Sequence, residues 1–145
     1  MTRLYLFATL AGERVAIMAE EVEAVVSLSD ISPVPGLGSH VAGLSALRSR
    51  VLTVLDIAML LHGTSTAVEQ RQLAIIAEIG GHSYALMVDG LSDICRASGG
   101  QQPLRGQLYP AWRLYARAMV EHEGRSWLLV SPSAFLGSGI ADQAA

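Results

Sequence analysis

Three times along this chain a short glycine-bearing step separates two apolar, β-branched runs. Leu4–Leu10 and Glu13–Ile17 flank Ala11-Gly12; Gln72–Ile79 and His82–Val88 flank Gly80-Gly81; Ala118–His122 and Ser126–Val130 flank Glu123-Gly124. A two-residue connection between strands needs positive φ, which glycine adopts without a Cβ clash, so each arrangement reads as a β-hairpin. Three hairpins in 145 residues predict an all-β barrel or sandwich with short helices only. Ala19–Ser27 places Val22, Val25 and Val26 at i, i+3 and i+4 behind Glu20, Glu21 and Glu23, which predicts one short amphipathic helix. Asp56–His62 predicts a helical turn, and Ser131-Pro132 starts another that Gly137 would stop. Pro33-Val34-Pro35-Gly36 is restricted to an extended loop, and Gly99-Gly100-Gln101-Gln102-Pro103 reads as a second long loop. Residues 64–70 and 140–145 are polar or small and expected to be mobile.

Apolar residues make up 51% and charged residues 16%, against roughly 25% charged in ordinary soluble domains. That balance excludes disorder, and it leaves little charge to cover the surface, so some apolar surface is expected to meet partners. All ten basic residues are Arg, the net charge is −3, and no basic run exists. Nucleic-acid binding and polybasic membrane attachment are therefore not expected. The apolar stretches Leu4–Ala11 and Val51–Leu61 are too short to span a bilayer, which argues against direct membrane insertion. No small-x-small cleavage site follows the first before Glu13 and Arg14. The lone Cys95 excludes an internal disulfide and suits a reducing cytoplasm.

Signals for catalysis are weak. His40, His62, His82 and His122 are scattered, and Cys95 has no Cys or His beside it in sequence, so no metal or cofactor is expected. His82 and His122, next to hairpin turns, read as solvated imidazoles, and Cys95 as a small buried residue ending an apolar strand. Glu20, Glu21, Glu23, Asp56 and Asp89 read as helix-dipole and strand-end acids. Gly36-Leu37-Gly38 and Gly99-Gly100 lack the context of a phosphate loop. Arg48-Ser49-Arg50, between the apolar segments Val41–Leu47 and Val51–Leu55, could present donors beside a groove suited to an amphipathic helix. Two solvated turn arginines fit the same pattern.

The stretch Val88-Asp89-Gly90-Leu91-Ser92-Asp93-Ile94 looks like V-D-x-V-x-[DE]-V/I, and Val41–Ile57 looks like V-x-G-V-x-N-L-R-G-x-[IV]-x-P-V-[IV]-D-L. With the three hairpins in order, these segments resemble the CheW-like family of chemotaxis coupling domains over nearly the whole chain. The resemblance implies two intertwined five-stranded SH3-like β-barrels sharing a hydrophobic centre, in one domain over residues 1–139 with a tail at 140–145. It also implies a non-catalytic cytoplasmic adaptor linking a chemoreceptor's helical cytoplasmic tip to the regulatory domain of a histidine kinase in a membrane-associated array. By position, Val22, Arg48, Leu73 and Ala74 match the family's receptor groove, and Gly43 and Leu47 its kinase-contact region. Ala24 replaces an acid, Ala46 an Asn, Ser49 a Gly, Thr53 a Pro and Ser131 an Asp or Asn. If Ser49 needed positive φ it would cost about 1 kcal/mol relative to glycine. Such departures also fit two alternatives. One is an array or ring assembly protein of another chemosensory system (surface sensing, pilus motility) that does not read receptors; the other is a small-molecule-binding module using the inter-barrel groove.

Overall fold

Each predicted hairpin forms, for a local reason. The computed structural model describes residues 3–34, 36, 38, 40–64, 72–104 and 110–136. Strand β1 (Leu4–Leu10) turns into β2 (Glu13–Met18) with Ala11 at φ 50° and Gly12 at 82°. Later in the chain β6 (Gln72–Ile79) turns into β7 (His82–Met87) with Gly80 at 60° and Gly81 at 84°, and β10 (Ala116–His122) into β11 (Arg125–Val130) with Glu123 at 50° and Gly124 at 74°. Positive φ at both positions gives the turn the twist of its flanking strands. Ala11 and Glu123 carry the Cβ crowding that glycine avoids, roughly 1–2 kcal/mol each.

The helix expected at Ala19–Ser27 does not form. Ala19–Glu21 makes a single 3-10 turn, and Ala24–Leu28 is strand β3, paired from Ala24↔Ile76 to Leu28↔Gln72. A nine-residue helix is marginal alone, and the β-branched Val25 and Val26 gain more from a strand place beside β6. Between them lie β4 (Val41–Leu47), β5 (Arg50–Leu55) and the predicted helical turn, α1 (Ile57–His62). Asp56 caps α1 by accepting the Met59 N–H at 3.2 Å, and Gly63 ends it at φ 73°. After β8 (Gly90–Arg96) the expected long loop instead contains a two-residue strand, β9 (Gln101–Gln102), paired with Met119 and Val120 of β10. One-turn 3-10 helices follow at Pro110–Leu114 and Pro132–Phe135. Pro35, Gly137 and most of the expected mobile segments at 64–70 and 140–145 lie outside the described residues.

The strands form two curled sheets, ordered β8-β1-β2-β11-β10-β9 and β3-β6-β7-β5-β4. The fold is therefore the expected all-β one, with six strands rather than five in one sheet because of β9. The first hairpin belongs to the same sheet as the last: β2 lies parallel to β11, with Val15 opposite Leu128. The segment from β3 to β7 forms the other sheet, so the two halves are interleaved along the chain.

Both faces of the central strands are buried. In β1, Tyr5 and Phe7 point into a cluster inside the six-stranded sheet, while Leu6, Ala8 and Leu10 point into a cluster shared by both sheets. In β7, Tyr84 and Leu86 join the shared cluster, and Ala85 and Met87 join a third cluster inside the five-stranded sheet. A strand buried on both faces needs an apolar residue at every position rather than every second one. This accounts for much of the high apolar and low charged content. Among the described residues, the large apolar ones left exposed are Leu4, Val51, Leu91, Ile94 and Leu114. Among the described residues no helix is long and apolar enough to cross a membrane.

Candidate functional site

The chain crosses from one sheet to the other at the 3-10 turn Ala19–Glu21, and Glu23 N–H fastens the crossing to Ile76 C=O at 2.8 Å. Val22 therefore stands at the seam, with a cavity on either side. One, of 230 Å³, is walled by Leu6, Val22, Val25 and Ile94 with Glu23 at its edge and is mainly apolar. The other, of 630 Å³, is walled by Glu20, Glu21, Glu23 and Glu78 together with Ile79 and Pro132. A mainly apolar slot thus lies beside an acidic cleft, with Val22 and Glu23 as their common ridge.

Arg50 braces one end of the cleft. Its Nη1 donates to Glu23 Oε1 at 3.0 Å and to Ser83 Oγ at 3.3 Å, and its Nη2 donates to Glu23 Oε2. The forked bond holds the Glu23 carboxyl below, and the Arg50 guanidinium above, their ordinary pKa values. One residue before Ala24, Glu23 thus supplies a carboxylate paired with an arginine, Arg50. At another wall, Ser131 Oγ donates to Glu21 Oε2 at 2.5 Å rather than capping its own 3-10 turn. An Asp in that place would set two carboxylates together, so the serine suits this cleft.

The expected groove residues are only partly brought together. Val22 is half-buried at the seam. Leu73 is half-buried at the far end of β6: from the pairings Ala24↔Ile76 and Ser27↔Leu73 it lies roughly 16 Å along the strand from the level of Val22. Its neighbour Ala74 is 0% exposed and can shape a groove only from within. Arg48 sits exposed at the tip of the β4–β5 hairpin, and among the described residues it has no hydrogen-bond or ion-pair partner. The turn places its positive φ, 58°, on Arg48 and not on Ser49. Gly43 is buried on edge strand β4, where the Ser32–Pro33 backbone passes against it, and Leu47 is half-buried at the strand's end. Ala46 pairs with Val51 across the same hairpin, and both are exposed.

Sequence reasoning missed Ile94 and Glu23 as parts of the seam, and offered Arg50 only together with Arg48 as a donor beside a groove. Ile94 ends the most family-like stretch of the chain, and Arg50 follows Arg48 by two, so both signals were present without a spatial partner. Two other readings are corrected. His122 is not solvated: it is 6% exposed, stacked on Phe7 at 4.3 Å, with its Nδ1 accepting the Ser98 N–H at 3.0 Å. Cys95 is half-buried on a largely exposed edge strand, and the fold brings His122 beside it although 27 residues separate them.

A family model described as CheW-like domain matches residues 4–139. Among solved structures, the crystal structure of the scaffolding protein TtCheW from Thermoanaerobacter tengcongensis is similar in fold, with a TM-score of 0.78 at 17% identity. The match covers 97% of this chain and 96% of that one. A search of curated proteins returned no match.

Proposed function

Because the chain belongs to the CheW-like domain family, whose members are scaffolds of chemotaxis signalling, we propose that it couples a chemoreceptor to a histidine kinase without catalysing a reaction itself. The receptor's cytoplasmic tip, an amphipathic helical hairpin, would lie along the seam with its apolar stripe in the slot beside Val22 and Ile94. Basic residues on the helix would meet the acidic cleft, and Arg48 would reach over from the neighbouring hairpin tip. Leu73 and Ala74, farther along β6, would shape the groove only through the packing of that strand. The kinase's regulatory domain docks on edge strand β4, next to Leu47 and the exposed Ala46–Val51 pair, with Gly43 holding the strand's shape. Acting in the cytoplasm at membrane-associated receptor arrays, the protein passes signal as a change in relative orientation of its two partners.

One observation carries this reading: a mainly apolar slot and an acidic cleft share the ridge Val22–Glu23, the pattern an amphipathic helix fits. The test is binding of the protein to a receptor-tip peptide and, separately, to the kinase regulatory domain. Val22→Asp places an unpaired carboxylate in the slot and is expected to weaken the peptide by at least about tenfold. The same variant should leave kinase binding within about threefold, and Arg48→Ala should weaken the peptide more modestly. Failure of the unaltered protein to bind either partner overturns the coupling role. Binding of both with no effect of Val22→Asp overturns the groove while leaving the coupling role in place.

A further inference from the structure

The six-stranded sheet curls so that edge strand β8 approaches the end of β10, two strands that share no ladder. Across this opening Asp93 and Cys95, spaced i and i+2 on β8, meet His122 at the end of β10. Cys95 Sγ lies 3.2 Å from Asp93 Oδ2 and 3.4 Å from His122 Nε2, and the three ligand atoms all fall within 4.8 Å of one another. A tetrahedral zinc ion, with sulfur at about 2.3 Å and nitrogen or oxygen at about 2.0–2.1 Å, sets the sulfur-to-nitrogen and sulfur-to-oxygen edges at about 3.5 Å. We propose that Asp93, Cys95 and His122 form a site for a thiophilic divalent cation, zinc by its chemistry, that clips β8 to β10.

The imidazole is held for that task. Phe7 stacks on the ring with an interplanar angle of 6°, and Trp127 Nε1–H donates to the His122 carbonyl at 3.3 Å. Glu123 Oε1 lies 3.8 Å from His122 Nε2 but outside the cluster of three, so the fourth position falls to solvent. The competing state is a proton chain. Ser98 N–H donates to Nδ1, which leaves the ring proton on Nε2 facing Cys95 Sγ, while the thiol donates to Asp93. On binding, the thiol loses its proton to solvent. The ring exchanges its Nε2 proton for one on Nδ1, so the Ser98 amide must turn away. One proton is released per cation. Ser98 lies in the exposed turn that leads into Gly99-Gly100, and the bonds Gly99 N–H to Glu121 C=O and Glu123 N–H to Ser98 Oγ, both 2.9 Å, hold that turn, so the cation must outweigh the cost of turning the amide.

The test is titration of the full chain with Co²⁺ as the probe and with Zn²⁺ in competition. A single site with a thiolate-to-cobalt charge-transfer band is expected, together with faster hydrogen exchange at the Ser98 amide in the zinc form. Cys95→Ser should weaken affinity by about 100-fold or more and abolish the band, and Asp93→Asn by about 10-fold. Zinc should raise the melting temperature of the unaltered protein but not of Cys95→Ser. His122→Gln risks the packing on Phe7, and the two strand variants keep the test decisive without it. Absence of the band, or affinity unchanged in Cys95→Ser, overturns the site and leaves Asp93, Cys95 and His122 as a hydrogen-bonded chain only.

Discussion

Replacing Gly43 by alanine should unseat the segment that crosses edge strand β4. A Cβ built on Gly43 falls 2.3 Å from the Ser32 carbonyl oxygen and 2.7 Å from its carbon, both backbone atoms with no side-chain freedom to yield. The Ser32 segment must retreat, which breaks the paired bonds Ser32 N–H to Leu44 C=O (2.8 Å) and Leu44 N–H to Ser32 C=O (2.9 Å). Two backbone bonds at about 1 kcal/mol each, and about 1 kcal/mol for an alanine at φ +153°, sum to roughly 3 kcal/mol. At about 3 °C per kcal/mol for a chain of this size, the midpoint should fall by roughly 9 °C. Thermal and urea unfolding would measure the loss, and hydrogen exchange at the Ser32 and Leu44 amides would locate it. A loss below about 1 kcal/mol with both amides still protected would refute the reasoning, since the clash would then have been absorbed elsewhere. Because Gly43 is itself buried, weaker kinase binding in the variant should follow loss of the β4 shape and be matched by faster exchange at Leu44.

Arg48→Gly should unfold at or above the midpoint of Arg48→Ala, by about 1 kcal/mol at most, because glycine relieves the positive φ at that position; denaturation of the two variants checks it. Glu23 should titrate below the ordinary glutamate value of 4.5, so the stability it lends is complete above that pH and lost as pH falls through the folded-state value. In Arg50→Ala its titration, followed by carboxyl NMR, should move back up. Burial first and the Asp93 carboxylate second push the Cys95 thiol up, so alkylation at neutral pH should be slow. Asp93→Asn should speed it, as a thiol assay would record.

How much of this was legible in the sequence depends on how far apart the deciding contacts lie. The hairpins at Ala11-Gly12, Gly80-Gly81 and Glu123-Gly124 were readable because turn chemistry acts over four residues. The helical turn at Asp56–His62 was readable for the same reason. Residues 19–27 misled because the spacing of Val22, Val25 and Val26 is a helix signal only while β6, some fifty residues away in sequence, is out of sight. The seam failed in part for a related reason. A match by position placed Leu73 and Ala74 in the groove, but only the register of β3 on β6 tells that one lies at the far end and the other faces inward. His122 and Cys95 look solitary until the sheet curls and brings them into one cluster.

The interleaving of the two sheets also sets an order of events for the growing polypeptide. β2 finds its parallel neighbour only when β11 has been made, more than a hundred residues later. During synthesis the opening hairpin, with Leu6, Phe7 and Ile17 uncovered, must wait while β3 to β7 assemble beside it. The amino-terminal strands are thus the last to be enclosed. A chain stopped short of its last hairpin leaves that apolar opening hairpin on display to whatever quality control the cell keeps near the ribosome.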